Sequence, residues 1–182
     1  MADERHILLL TGRPGIGKTT VLRQAARLLD GWRIAGFYTE EIREEGVRQG
    51  FLGVSFDGEH ETVIAHESRP GQPRISKYGV DVAAIDELSA ATLRVDENEV
   101  DAVLLDEIGT MECLASEFLD SVTDLLDSPL PFAATVARKG QGLISEVKNR
   151  PDALLWEVTE TNRDRLPAEI AAWLQDHRVK VH

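Results

Sequence analysis

Four short runs along the chain are almost continuously apolar, and each is followed by apolar residues at helical spacing. Runs of this kind are typical of strands that are buried on both faces. The predicted strands are His6–Leu10, Val100–Leu105, Pro131–Ala137 and Ala153–Val158. The helical patterns cover Val21–Leu29, Phe118–Leu126, Leu143–Val147 and Leu166–Leu174. Strands that alternate with helices in this way predict an α/β fold, with a mostly parallel sheet flanked by helices.

Between the first two runs the pattern changes to short β-rich stretches separated by turn signals. The stretches are Ile34–Tyr38, Phe51–Phe56 and Thr62–Ala65. Glu45–Gly46 and Asp57–Gly58 are typical turn sequences, so we expect an antiparallel β meander. A length of 182 residues suits one domain with its own core. We therefore interpret residues 1–182 as a single domain in which residues 34–66 form an inserted meander.

Composition adds limits on the class of protein. Hydrophobic residues make up 42% and charged residues 29%, which is ordinary for a globular chain. The formal net charge of −12 disfavours nucleic-acid partners, whose phosphates are bound by Lys and Arg. No apolar run approaches the roughly 18 residues of a membrane helix, and the N-terminus lacks a signal-peptide pattern. With Cys113 as the one cysteine, no internal disulfide forms. These features indicate a cytoplasmic protein without membrane contact.

The segment between the first predicted strand and helix carries the clearest chemical motif. Gly12–Thr19 matches the phosphate-binding pattern G-x-x-x-x-G-K-[ST] at every position. Glycines let the backbone turn its N–H groups inward, which forms an anion-binding nest at the start of a helix. Lys18 is expected to reach the β and γ phosphates, and the Thr19 hydroxyl to bind Mg²⁺. The predicted nucleotide contacts are Gly12, Arg13, Pro14, Gly15, Ile16, Gly17, Lys18, Thr19 and Thr20.

Two features of this loop have a simpler explanation. An ordinary glycine-rich turn followed by an exposed lysine is the alternative for the motif, but its position between a strand and a helix argues against that. For Thr20, hydrogen bonding within the first turn of the helix explains the hydroxyl as well as a nucleotide contact does.

A pair of carboxylates follows the second apolar run. Asp106 and Glu107 stand at the C-terminal end of a predicted parallel strand, where ligands collect in open α/β sheets. We predict that Asp106 holds Mg²⁺ and that Glu107 orients the attacking water and accepts its proton. The alternative is that both acids cap the next helix or face solvent. Glu112 is equally well explained as part of the metal shell or as a helix cap.

With these segments in view, the chain resembles the small stand-alone P-loop nucleoside-triphosphatase family, also called the cancer-related nucleoside-triphosphatase family. The resemblance rests on five segments in order along nearly the whole chain: GRPGIGKTT, GFYTEEIREEGVRQGF, KYGVDV, LLDEIGTMECLASEF and VTETNRDRL. It implies a RecA-like P-loop fold and slow, Mg²⁺-dependent hydrolysis of nucleoside triphosphates to diphosphate and phosphate. It also implies broad base specificity, covering ATP, GTP, CTP and UTP.

Several residues have weaker claims to the site. Arg138, Lys139 and Arg163 are our candidates for stabilising charge on the transferred phosphoryl group. Arg138 and Lys139 lie in a loop after a strand, and both also fit solvated surface residues. Asn162 and Arg163 follow the last strand and are candidates for base and ribose contacts, with helix capping as the alternative for Asn162. Thr39, Glu40, Glu41, Lys77 and Tyr78 are equally compatible with the site and with structural roles.

Two other functions share the same motifs. A P-loop kinase has the same loop but needs a second substrate, and the Asp106–Glu107 pair favours water as the acceptor instead. A nucleotide-dependent switch or binding module also keeps the loop and magnesium residues. Neither spacing nor charge identifies a protein partner.

Overall fold

The computed structural model describes residues 5–179, which contain ten strands and five helices, with six of the strands lying in succession between the first and second helices. In chain order they are β1 (Ile7–Thr11), α1 (Lys18–Arg27), β2 (Ile34–Ala35), β3 (Phe37–Glu44), β4 (Val47–Ser55), β5 (Glu61–His66), β6 (Arg74–Ile75), β7 (Tyr78–Val80), α2 (Val82–Leu93), β8 (Ala102–Ile108), α3 (Ser116–Leu126), β9 (Phe132–Val136), α4 (Leu143–Lys148), β10 (Ala153–Glu157) and α5 (Leu166–Asp176). A 3₁₀ turn, Glu112–Leu114, precedes α3.

The first sheet is parallel, with the strand order β10-β1-β9-β8-β2. Successive side chains of β1 point to opposite faces, so Ile7 and Leu9 join one core, and Leu8 and Leu10 the other. Helices α1 and α5 cover the second of these cores, whereas α2, α3 and α4 contribute to the first. Burial on both faces explains the continuous apolar runs. The predicted parallel sheet flanked by helices is confirmed.

The second sheet is antiparallel, with the order β3-β4-β5-β7-β6. It begins at Phe37 and not at Ile34, because Ile34 and Ala35 pair with β8 in the first sheet. It extends beyond residue 66 through two short strands, β6 and β7, that the pattern had not indicated. Phe37 packs edge to face on Phe118 of α3, with 6.2 Å between ring centroids, so the two sheets share one core.

Helices α2 and α3 each begin where an aspartate carboxylate accepts a hydrogen bond from a backbone N–H of the first turn. Asp81 caps α2, because its side chain accepts a hydrogen bond from the Ala84 backbone N–H at 3.0 Å. At the start of α3, the Glu117 backbone N–H donates a hydrogen bond to the Asp86 carboxylate of α2 at 2.9 Å.

Within residues 5–179, no helix is both long enough and apolar enough to cross a bilayer.

Candidate active site

The loop from Gly12 to Thr19 joins β1 to α1 and opens onto a cavity of about 1210 Å³. Gly15 and Gly17 have φ values of 78° and 109°, in the left-handed region that favours glycine. Gly17 occupies the N-cap position of α1 and has no side chain with which to cap the helix. The first N–H groups of α1 therefore stay available to an anion, as a phosphate-binding helix N-terminus requires.

Lys18 and Thr19 begin α1 and both line this cavity. The Lys18 ammonium donates to the Gly12 carbonyl at 3.0 Å, so the side chain folds back over the concave side of its own loop. Arg13 instead points outward, where it pairs with the exposed Glu160. Thr20 is exposed, and it also lines the cavity.

Asp106 is buried at the C-terminal end of β8, where its carboxylate accepts four hydrogen bonds. Oδ2 accepts from the Thr19 hydroxyl at 2.9 Å and from the Thr39 hydroxyl and N–H at 3.0 and 3.2 Å. Oδ1 accepts from the Thr135 hydroxyl at 2.6 Å. All four donors are neutral, so these contacts bring no positive charge to the carboxylate. A buried anion in this condition is suited to binding a cation.

Glu107 and Glu112 form a second acidic group beside Asp106. A Cβ placed on Gly109 would lie 2.8 Å from both Glu107 Oε1 and Glu112 Oε2, so the two carboxyl groups converge over this glycine. Only a residue without a side chain leaves them that space. This explains Gly109 in the Asp-Glu-x-Gly sequence.

Burial raises the pKa of Glu107 to about 7, with the Asp106 charge adding to the effect and the Lys18 charge opposing it. Burial raises the pKa of Glu112 to about 8, and the Glu107 charge acts in the same direction. A carboxyl with a pKa near neutrality is well matched to accepting a proton from water. Both acids line the cavity, but Glu112 is buried whereas Glu107 is partly exposed, so Glu107 is the better placed of the two to meet water.

Neither acid caps the helix that follows. The N-cap position of α3 is Ala115, no side-chain hydrogen bond is made there, and Glu112 instead opens the preceding 3₁₀ turn. The capping alternative for Glu112 is therefore wrong. The structure leaves it as a buried acid that lines the same cavity as Asp106 and Glu107.

Arg138 and Lys139 are exposed and lie on the rim of the cavity, in the loop that follows β9. Lys148 on α4 holds the start of this loop. Its ammonium donates to the carbonyls of Ala137 at 2.8 Å and Arg138 at 3.0 Å. The loop that carries Arg138 and Lys139 is therefore held in place where it leaves β9, and both cations lie on the rim of the cavity.

Asn162 and Arg163 lie outside the set of described residues that line the cavity. The Asn162 amide closes a turn, accepting from the Thr159 N–H at 2.7 Å and donating to the Glu157 carbonyl at 2.7 Å. Arg163 donates to the Ile16 carbonyl at 3.3 Å and so touches the back of the phosphate loop. Their contact with base and ribose stays a prediction.

The remaining candidates divide between the site and the scaffold. Thr39 belongs to the site through Asp106, whereas Tyr78 is buried and its hydroxyl accepts from Arg48 Nε at 2.8 Å. Lys77 forms an ion pair with Glu67. Glu40 and Glu41 line the cavity and are paired with arginines, namely Arg23, Arg43 and Arg48.

Thr135 was missed by the sequence reasoning. It stands alone as a polar residue within the apolar run Pro131–Ala137, and the structure shows it completely buried. A hydroxyl in the middle of a strand buried on both faces needs a polar partner. That requirement is the signal that would have found it.

Comparison with known proteins places the chain among nucleotide-hydrolysing enzymes. The model of a family described as NTPase matches residues 7–171. Nucleoside-triphosphatase THEP1 of Thermotoga sp. (strain RQ2) is 38% identical over 171 residues, which cover 94% of this chain and 97% of the relative. The cancer-related nucleoside-triphosphatase homolog of Mus musculus is 32% identical over 188 residues, covering 96% and 98%.

Solved structures show the same similarity in three dimensions. The crystal structure of THEP1 from the hyperthermophile Aquifex aeolicus superposes with a TM-score of 0.84 at 29% identity and covers 93% of this chain and 99% of its own. The solution structure of a human cancer-related nucleoside triphosphatase gives a TM-score of 0.80 at 32% identity, with coverage of 94% and 98%. The P-loop fold inferred from the sequence is confirmed.

Proposed function

We infer that this chain, which belongs to the NTPase family and is a nucleoside triphosphatase, uses Mg²⁺ and accepts triphosphates of different bases. The products are nucleoside diphosphate and phosphate. The reaction is assigned to the cavity between the Gly12–Thr19 loop and the end of β8.

The observation that carries the magnesium proposal is the environment of Asp106. Its buried carboxylate is surrounded by hydroxyl and amide donors, and the Thr19 hydroxyl lies 2.9 Å away. Mg²⁺ prefers oxygen ligands and is usually held by one or two carboxylates together with substrate phosphates and waters. No three His, Cys, Asp or Glu side chains form a metal cage within residues 5–179. Asp106 and Thr19 are the residues that fit a magnesium–nucleotide complex.

The remaining groups supply the steps of hydrolysis. Backbone N–H groups of the loop and the Lys18 ammonium hold the β and γ phosphates. When bound, Mg²⁺ neutralises charge on the phosphate oxygens. Glu107 takes a proton from the water whose oxygen attacks the γ phosphorus, and the bond from that phosphorus to the bridging oxygen breaks. Arg138 at the rim is positioned for the charge that develops on the transferred group.

Broad base specificity is supported by what surrounds the phosphate site. Discrimination between bases requires polar groups that bind the base edges. The Asn162 amide, our candidate for such a contact, already bonds the Thr159 N–H and the Glu157 carbonyl. Because these two bonds occupy part of the amide, we propose that Asn162 contacts the base without selecting among bases, and that the phosphates supply most of the binding.

The test measures phosphate release from ATP, GTP, CTP and UTP, with Mg²⁺ and with EDTA, for the wild type, Lys18→Ala and Glu107→Gln. We expect all four triphosphates to be hydrolysed only with Mg²⁺. Lys18→Ala should weaken triphosphate binding about 10- to 100-fold, because a charged hydrogen-bond donor is lost. Glu107→Gln should bind normally and hydrolyse about 100-fold more slowly, because the general base is gone.

The pH profile gives a second test of Glu107. The deprotonated form is the active one and its pKa in the free protein is raised to about 7, so the wild-type kcat/KM should climb with pH and level off above neutrality. Glu107→Gln should lack that rise. An unchanged rate and profile in Glu107→Gln would remove this residue from the mechanism. Transfer of labelled phosphate to an added alcohol, without release to water, would select a kinase instead.

A further inference from the structure

One oxygen of Asp106 is held by two different parts of the molecule. Oδ2 accepts the Thr19 hydroxyl from α1 and both the hydroxyl and the N–H of Thr39 from β3. Thr39 is the residue through which the second sheet reaches this carboxylate. It provides two of the three hydrogen bonds on the oxygen nearest Thr19.

The two oxygens of Asp106 differ in what surrounds them. Oδ1 faces Thr135, which is completely buried within the first sheet. Oδ2 is the oxygen bonded by Thr19 and Thr39, and both of these threonines line the cavity. Thr135 therefore fixes the inner side of the carboxylate. Thr39 fixes the side that would face a bound cation.

The residues on either side of Thr39 hold β3 against α1. Glu40 forms an ion pair with Arg23 at 2.9 Å, and the Arg23 guanidinium lies 4.2 Å from the centre of the Tyr38 ring. Arg23 stands one turn after Thr19 on the same helix. Contacts on both neighbours keep Thr39 in register with Thr19 and Asp106.

We propose that Thr39 is a positioning residue of the magnesium site, which holds Asp106 Oδ2 beside the Thr19 hydroxyl and so makes the docked second sheet part of metal–nucleotide recognition. This inference rests on the magnesium-dependent function proposed above. It assigns Thr39 no contact with the reacting atoms. Groups that orient a metal ligand through hydrogen bonds commonly change metal affinity about 10- to 100-fold when they are removed.

The experiment measures the dissociation constant of a fluorescent, non-hydrolysable ATP analogue with saturating Mg²⁺ and again with EDTA. Thr39→Val removes the hydroxyl while nearly preserving shape. It should bind the analogue about tenfold more weakly with Mg²⁺, and within about twofold of wild type in EDTA, because the phosphate loop is intact. Thr39→Ser restores the hydroxyl and should recover the wild-type preference for Mg²⁺.

A matched control removes a threonine hydroxyl far from the site. Thr123 is exposed on α3 and its hydroxyl donates to the Leu119 carbonyl of the same helix, so Thr123→Val should keep the wild-type Mg²⁺ preference. Thermal midpoints in EDTA check that each variant is folded, and Thr39→Ala replaces Thr39→Val if the latter does not fold.

The outcomes separate this inference from the proposed function. A wild type without any Mg²⁺ preference would overturn the magnesium proposal together with this one. A wild-type preference that survives in Thr39→Val, or a fall in affinity that is equal with Mg²⁺ and EDTA, would overturn the role of Thr39 alone. Loss of the preference in Thr39→Val with recovery in Thr39→Ser supports it.

Discussion

Asp101 and Asp106 stand near opposite ends of β8, and both are buried, with 8% and 2% of their surface exposed. Asp101 is bound by two arginines: the Arg33 guanidinium donates to it at 3.2 Å and the Arg33 backbone N–H at 2.8 Å, and the Arg178 guanidinium donates at 2.9 Å. Asp106 has four neutral donors instead. The negative charge of Asp101 is balanced by Arg33 and Arg178 of the same chain, so this carboxylate stabilises the fold. Asp106 forms no ion pair with a Lys or Arg side chain among residues 5–179, which fits the cation site that we propose for it.

The Asp101 cluster joins distant parts of the chain. Arg33 precedes β2 and Arg178 follows α5, so one carboxylate ties an edge strand to the C-terminal segment. Hydrogen bonding from Arg33, with a contribution from Arg178, holds the pKa of Asp101 well below its ordinary value. The ion pairs are therefore complete at neutral pH.

Asp106→Asn makes the sharpest test of this contrast. The substitution keeps the size of the side chain and removes the charge that we propose holds Mg²⁺, so hydrolysis should fall about 1000-fold, as when a preorganised electrostatic group is lost. Stability in EDTA should be unchanged or higher, because a buried anion without a positive partner is costly. Phosphate release and thermal unfolding in EDTA measure the two effects. A marked loss of stability would show that Asp106 resembles Asp101.

Asp101→Asn should have the opposite result. The carboxylate is buried but the two arginine side chains are half exposed and remain hydrated, so we expect a loss of about 2 kcal/mol in the free energy of unfolding at pH 7, the scale of a charged hydrogen bond. Urea unfolding measures this change, while hydrolysis by the folded variant should stay near the wild-type rate.

The pH dependence of that difference follows from the sign of the pKa shift. The folded-state pKa lies below the ordinary value of 3.8, so the stabilisation is present above pH 3.8 and is lost as the pH falls through the folded-state pKa. Wild type and Asp101→Asn should therefore become alike in strong acid. A constant difference between pH 7 and strong acid would contradict this account.

The same contrast explains how much the sequence could predict. The phosphate loop and the Asp106–Glu107 pair were predictable because each is a contiguous segment next to a clear strand. Thr39 and Thr135 hold Asp106 from 67 and 29 residues away, and no local pattern pairs them with it. Arg33 and Asp101 are 68 residues apart and lie in separate predicted elements. Partners of this kind are fixed by strand order, which periodicity does not specify.

The second sheet shows the same limit. The longer strands were predictable from their β-rich composition and the turn sequences between them, but β6 and β7 contain only two and three residues. Strands so short carry no measurable alternation. Ile34 and Ala35 have the composition of the meander, yet they pair with β8 because the chain crosses from one sheet to the other at Gly36.

Glu112 is a third buried carboxyl to compare with Asp101, and no arginine is among the groups that shift its pKa. Burial raises its pKa to about 8 from an ordinary 4.5, so the folded protein keeps a proton that the unfolded chain releases. Stability contributed by this group is then fully present below pH 4.5 and is lost as the pH rises towards 8. The side chain in Glu112→Gln does not ionise, so the stability of this variant should not fall for that reason as the pH rises.

We therefore expect Glu112→Gln to exceed the wild type in stability at pH 8.5 by on the order of 2 kcal/mol, with part of the gain offset by burial of the amide. At pH 4.5 the two proteins should differ little. Thermal unfolding at both pH values in EDTA measures the change without nucleotide or metal. Equal differences at the two pH values would mean that Glu112 is charged throughout, and that it obtains a positive partner as Asp101 does.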